Sequence, residues 1–136
     1  MCFLFAVLSL GSCAYVADDI FDCIINSRPV LRSDGLEDGT VDTFYSDYVY
    51  GEIENNPNDD NFDYYFDVYG NLPNGVDWYV DYRTVVFEGI PTRPGRYHFT
   101  VELWVEGPLV WNEATGVYDD NLCTDFTERN YTIVVR

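Results

Sequence analysis

From residue 43 onward, hydrophobic and polar positions alternate with a period of two, in short runs separated by Gly, Pro, Asn and Asp. That is the pattern of half-buried β-strands. The clearest run follows Gly95. Tyr97, Phe99, Val101, Leu103 and Val105 share one face, and Arg96, His98, Thr100, Glu102, Trp104 and Glu106 share the other. Burying five such side chains at about 1.5–3 kcal/mol each makes this a central core strand. Around it the pattern predicts an aromatic-rich strand from Thr43 to Glu52 and a polar turn at 55–61 (NNPNDDN). A strand with Tyr64, Phe66 and Val68 inward follows, then one with Val76, Trp78, Val80 and Tyr82 on one face. RTVVFEGI is a short strand, and the last strand sets Tyr131, Ile133 and Val135 inward. Asn112 and Gly116 bracket a connection that reads as a hairpin with Gly116 in the left-handed region.

About seven short strands, with no amphipathic helix, predict an all-β antiparallel sandwich. With 136 residues, the chain has material for one domain and one core. Residues 18–42 are polar and carry turn signals at Arg28-Pro29 and Asp34-Gly35, so they read as a linker entering an edge strand. The division is therefore a leader at 1–12, a linker and edge segment at 13–37, and the sandwich at 38–136.

Charge narrows the functional classes. There are 24 Asp and Glu against 7 Arg, with no Lys, for a net charge of −17. Such a surface repels phosphate backbones and argues against nucleic acid. Schiff-base and phosphate-loop chemistry that needs Lys is excluded by inventory. Divalent cations and basic surfaces stay open as partners, beside a charge that only maintains solubility.

Residues 1–17 (MCFLFAVLSLGSCAYVA) carry no charge, and Asp18-Asp19 ends the run. Interrupted by Gly11 and Ser12, the run is short for a membrane span and suits a secretory signal. Leu10-Gly11-Ser12-Cys13 resembles a bacterial lipobox, which implies that Cys13 becomes the lipidated first residue of an exported protein. A plain signal peptide, with Cys13 incidental, is the other reading. No Lys or Arg precedes the apolar run, which points to a truncated start or to initiation upstream. With Cys2 removed and Cys13 lipidated, Cys23 and Cys123 remain as a pair, and export permits a disulfide between them.

Two motifs carry a family resemblance. Gly89-Ile90-Pro91-Thr92 followed by Gly95-Arg96-Tyr97-His98-Phe99-Thr100-Val101 is similar to Gly-x-Pro-Thr-x-x-Gly-x-Tyr-x-Phe-x-Val. Upstream, Gly70-Asn71-Leu72-Pro73-Asn74-Gly75-Val76 is similar to Gly-x-Leu-Pro-x-Gly-Leu. Together they resemble the PIG-type immunoglobulin-like domains, relatives of dystroglycan-type cadherin-like domains that are common in bacterial surface proteins and lipoproteins. The resemblance covers about residues 38–136 and implies an immunoglobulin- or cadherin-like sandwich. Two departures stand out. The family has Thr-Gly where this chain has Thr84-Val85, so that turn must differ. The segment from Gly107 to Thr124 is long for the last connection.

Candidate chemistry is sparse. His98 is the only histidine and sits mid-strand on the polar face, where it reads as a solvated side chain. The acids are too numerous to mark a glycosidase pair, so the chain reads as non-catalytic. Asp59, Asn61 and Asp63 offer oxygens at alternate positions, like the start of a calcium loop. Tyr64 stands where such a loop needs Gly, and Gly70 where it needs Glu, so a solvated acidic turn is the competing reading. Calcium is the one cofactor that the sequence suggests. Trp111 and Tyr118, in the long last connection, are candidate contacts for a partner, or else fold back over the sandwich end.

The sequence thus leads to an exported, lipid-anchored lipoprotein at the cell surface, in the outer membrane or in the periplasm. It would act as a monomeric adhesion or binding module for protein or glycan, touching the membrane through its anchor alone. The alternatives are a structural spacer or assembly domain without its own ligand, and a calcium-dependent cadherin-like adhesion domain.

Overall fold

The alternating run after Gly95 forms the longest strand of the domain. It lies at the centre of one of two facing sheets in the computed structural model, which describes residues 26–136. The expected leader, Cys13 and Cys23 lie outside the described residues. In chain order the elements are β1 (Arg28–Arg32), β2 (Tyr45–Glu54), a 3₁₀ turn (Asp59–Asn61), β3 (Asp63–Gly70), β4 (Val76–Asp81) and β5 (Thr84–Gly89). Then come β6 (Gly95–Glu106), β7 (Val110–Asn112), β8 (Val117–Asp119) and β9 (Phe126–Val135).

Among the described residues, nine strands in three sheets replace the expected seven. One sheet runs β1-β2-β5-β4, a second runs β3-β6-β9, and β7-β8 is a separate two-stranded ribbon. Every strand pairing is antiparallel; the two isolated bridges, Ser27–Leu122 and Gly39–Val135, are parallel. The described residues form an all-β, sandwich-like domain. The two additional strands come from the long segment after Gly107, where Gly116 takes φ +69° between β7 and β8, as its position predicts.

Pairing of the inward faces builds the core. Val49 and Ile53 of β2, with Val85 and Phe87 of β5, meet Phe99, Val101, Leu103 and Val105 of β6 and Ile133 of β9, all buried. Phe87 and Phe99 join the two layers, with ring centroids 5.0 Å apart. Period-two reading sets Phe99, Val101, Leu103, Val105 and Ile133 inward, and assigns no face to β2 or β5. It failed at the end of β4, where Val80 and Tyr82 were expected inward but are exposed. β4 is an edge strand of a four-stranded sheet that faces only three strands, so its far end has less to pack against.

The two Gly/Pro motifs touch each other. Ile90 N–H donates to the Gly75 carbonyl at 3.1 Å, and Thr92 N–H donates to the Asn74 carbonyl at 3.0 Å. The backbones approach so closely that a Cβ on Gly89 would sit 1.9 Å from the Gly75 oxygen. Val85, at the position where the family has Gly, lies inside β5. The turn before it is a two-residue connection in which Tyr82 takes φ 55°.

The expected Cys23–Cys123 disulfide does not appear among the described residues, where no Sγ–Sγ pair lies at bonding distance; its other end, Cys23, lies outside them. Cys123 is the one cysteine among them, and it is not a free thiol. What ties its segment down within the described residues is backbone bonding. Cys123 N–H donates to the Ser27 carbonyl at 3.1 Å, beside the Ser27–Leu122 bridge.

Candidate functional site

Three connections and the start of β1 converge at one end of the sandwich. They are the β2–β3 loop, the β4–β5 turn and the segment between β6 and β9. Arg83, in the β4–β5 turn, is the joint. Its Nη2 donates to Asp59 Oδ2 and its Nη1 to Asp60 Oδ1, each at 2.7 Å, and its Nε donates to the Gly51 carbonyl at 3.1 Å. The guanidinium also lies over the Tyr64 ring, 5.3 Å from its centroid. Tyr64 in turn donates its hydroxyl to the Asp59 carbonyl at 2.8 Å. Burial pushes the Tyr64 hydroxyl up to about 12, opposed by the nearby Arg83 charge, so it stays a donor at physiological pH. Tyr82 reaches the Asp60 carbonyl at 3.3 Å.

Phe62 closes the same end from below. It is buried, and Gly107 lies so near that a Cβ there would approach the Phe62 ring to 2.2 Å. Asn55 Nδ2 donates to the Asn26 carbonyl at 3.5 Å, so the chain preceding β1 also enters at this end.

Above this base stands the β7-β8 ribbon. Trp111 and Tyr118 are direct cross-strand partners, and their rings meet edge to face at 5.2 Å. They are 54% and 66% exposed, so they do not fold back over the sandwich end. Leu109, Val110 and Val117 are exposed beside them. Asn112 Nδ2 bonds Asp119 Oδ2 across the ribbon at 3.1 Å, and Asp119 and Asp120 cap the amides of Asn121 and Leu122. An isolated two-stranded ribbon is marginal in water. Here side-chain caps and the Ser27 contacts secure its base.

The other candidate residues are dispersed or already engaged. Asp59, first of the proposed calcium oxygens, is taken by Arg83, while Asn61 and Asp63 are exposed. Among the described residues no group of three or more His, Cys, Asp or Glu is arranged to hold a metal. His98 is exposed on β6, with Nδ1 2.8 Å from Thr132 Oγ1, in a shallow depression of about 380 Å³. A hollow of about 400 Å³ lies elsewhere, flanked by Arg32, Glu37, Asp47, Tyr48, Tyr50 and Arg129.

Sequence reading singled out Trp111 and Tyr118 but missed Arg83, because its partners lie 23 and 24 residues away. The scarcity of cations was the available signal: with 7 Arg among 24 acids, an Arg at a tight turn has carboxylates to find. Comparison of the chain with family models, with curated proteins and with solved structures found no match.

Proposed function

We propose that this chain is an exported immunoglobulin-like interaction module that binds a protein partner through its hairpin end. Strand order supports the immunoglobulin-like reading. β1-β2-β5-β4 opposite β3-β6-β9 is the order of constant-type immunoglobulin sheets, with β7-β8 inserted in the last connection. In that fold the loops gathered at one end of the sandwich form the recognition surface of variable domains.

The exposed Trp111–Tyr118 pair, on a ribbon with a secured base, carries the binding reading. Trp and Tyr dominate binding energy where they are presented rigidly, because they bring large area at low entropic cost. Exposed Leu109, Val110 and Val117 extend the surface with aliphatic area, which suits a protein partner better than a sugar.

Export and a lipid anchor at Cys13 belong to the same proposal and rest on residues 1–17. Asn26 lies at the hairpin end, and residues 14–26 reach at most about 45 Å. An anchored domain therefore keeps its hairpin end within that distance of its membrane, and the partner is membrane-proximal.

Crosslinking capture from the native envelope, with intact-mass analysis of the N-terminus, tests both parts. Trp111→Ala should lower recovery of the captured protein about tenfold, with the melting curve unchanged. Equal recovery from both forms would defeat the binding role and leave a spacer. Retention on a glycan array that depends on Trp111 would transfer the reading to glycan. An N-terminus without acyl groups would remove the anchor.

A further inference from the structure

Register brings a row of aromatic side chains onto the outer face of the β3-β6-β9 sheet. Tyr65 pairs with Trp104, and Trp104 pairs with Phe126. Trp104 and Phe126 have ring centroids 4.7 Å apart, while Tyr65 and Trp104 remain 51% and 41% exposed. The neighbouring row on the same face is Asp67–Glu102–Glu128, and on the other side Asp63 pairs with Glu106. Five carboxylates thus border the aromatic row, and among the described residues none of them is in an ion pair.

The chain's own cations are placed elsewhere. Arg28 and Arg32 pair with Glu52 and Glu54, Arg83 with Asp59 and Asp60, and Arg136 with Asp38. Arg129 lies over the Tyr131 ring and reaches the Leu31 carbonyl. Arg96 projects from the outer face of β6, but six residues before Glu102, about 20 Å along the strand, and Arg93 stands in the loop ahead of β6. There is no Lys in the chain. The Glu102 carboxyl is pushed up from its usual range by desolvation, and then by the charges of Glu128 and Asp67, so the row is under mutual repulsion.

We infer that the outer face of the β3-β6-β9 sheet is a docking surface for an arginine-bearing basic segment of a partner protein. A guanidinium can stack on Trp104 or Tyr65 while its N–H groups meet the flanking carboxylates two at a time. A lysine ammonium can satisfy the charge but not the planar stacking, so the geometry selects Arg over Lys. The face is separate from the hairpin, and the inference stands without the function proposed above.

The full-length protein is titrated calorimetrically with acetylated hexa-arginine and hexalysine at physiological salt, and amide shifts map the contact. Hexa-arginine should bind about threefold or more tighter than hexalysine and should shift Tyr65, Trp104 and Phe126. Removing two charges at Glu102→Gln and Glu128→Gln should weaken hexa-arginine about threefold or more. Removing two from the opposite sheet, at Asp77→Asn and Asp81→Asn, should change it less than about twofold. Trp104→Ala should abolish the preference for arginine; if its melting curve shows unfolding, Tyr65→Ser reads the same row. Equal affinity for the two peptides, equal loss in both charge-removing variants, shifts spread over the whole surface, or no binding would each overturn the inference.

Discussion

The guanidinium of Arg83 reaches back along the chain to the carboxylate of Asp59, at 2.7 Å, and binds the β4–β5 turn to the β2–β3 loop. Both side chains are mostly covered, at 19% and 24% exposure, so water competes poorly for the pair. Arg83→Leu should cost about 1–3 kcal/mol in urea denaturation, since it leaves Asp59 half-buried and uncompensated. Hydrogen exchange should quicken first in residues 55–62. A change confined to β1 would contradict this placement.

Gly89 and Gly75 press their backbones together where the two family-like motifs meet. A Cβ at Gly89 would stand 1.9 Å from the Gly75 oxygen, and φ is +151°. Gly89→Ala should therefore destabilise the domain by about 3 kcal/mol or more, as clash adds to strain. Gly116, with φ +69° but open space around its Cβ position, should lose only about 1–2 kcal/mol as Ala, and only in the ribbon. Thermal melts of the two variants provide the comparison.

Trp111 should matter for the ribbon and not for the sandwich. Its contact with Tyr118 contributes about 0.5–1.5 kcal/mol to pairing of β7 and β8. In Trp111→Ala, amides of residues 110–119 should exchange faster, while global stability moves by less than about 0.5 kcal/mol. A large drop in global stability would place Trp111 in the core, against its observed exposure.

Two glutamates should titrate in opposite directions. Hydrogen bonds from Arg28 and then Arg32 hold the Glu54 carboxyl below the usual 4.5. Its contribution to stability is present above the unfolded-state value and is lost as pH falls through the lowered folded value. Glu102 is held above 4.5, first by desolvation and then by Glu128 and Asp67. The folded state therefore takes up this proton more readily than the unfolded one, and stability rises as pH falls through the raised value. Carboxyl NMR titration should find Glu102 protonating before Glu54 as the solution is acidified. The reverse order would contradict both environments.

Alternation alone identified the buried hydrophobic positions of β6 and β9, because a strand with one face on a core must repeat every two residues. Glycine and proline spacing located the turns, and the Gly116 hairpin was readable in the same way. Val80 and Tyr82 escaped that reading, because burial at a strand end depends on what the opposing sheet covers. The carboxylates of Asp59 and Asp60 were legible as an acidic turn, but their engagement with Arg83 was not.

Local sequence thus determined which hydrophobic side chains of β6 and β9 face the core, that a hairpin turns at Gly116, and that Trp111 and Tyr118 stand in a long connection. These depend on backbone periodicity and steric rules that act over a few residues. Tertiary structure decided that Trp111 meets Tyr118 in the open and that Arg83 joins two loops. It also decided that Tyr65, Trp104 and Phe126 line up between two sets of carboxylates. The aromatic row arises from pairing register between strands distant in the chain, where one residue of slip would turn the face over, and the Arg83 joint from loops that the two sheets bring to one end.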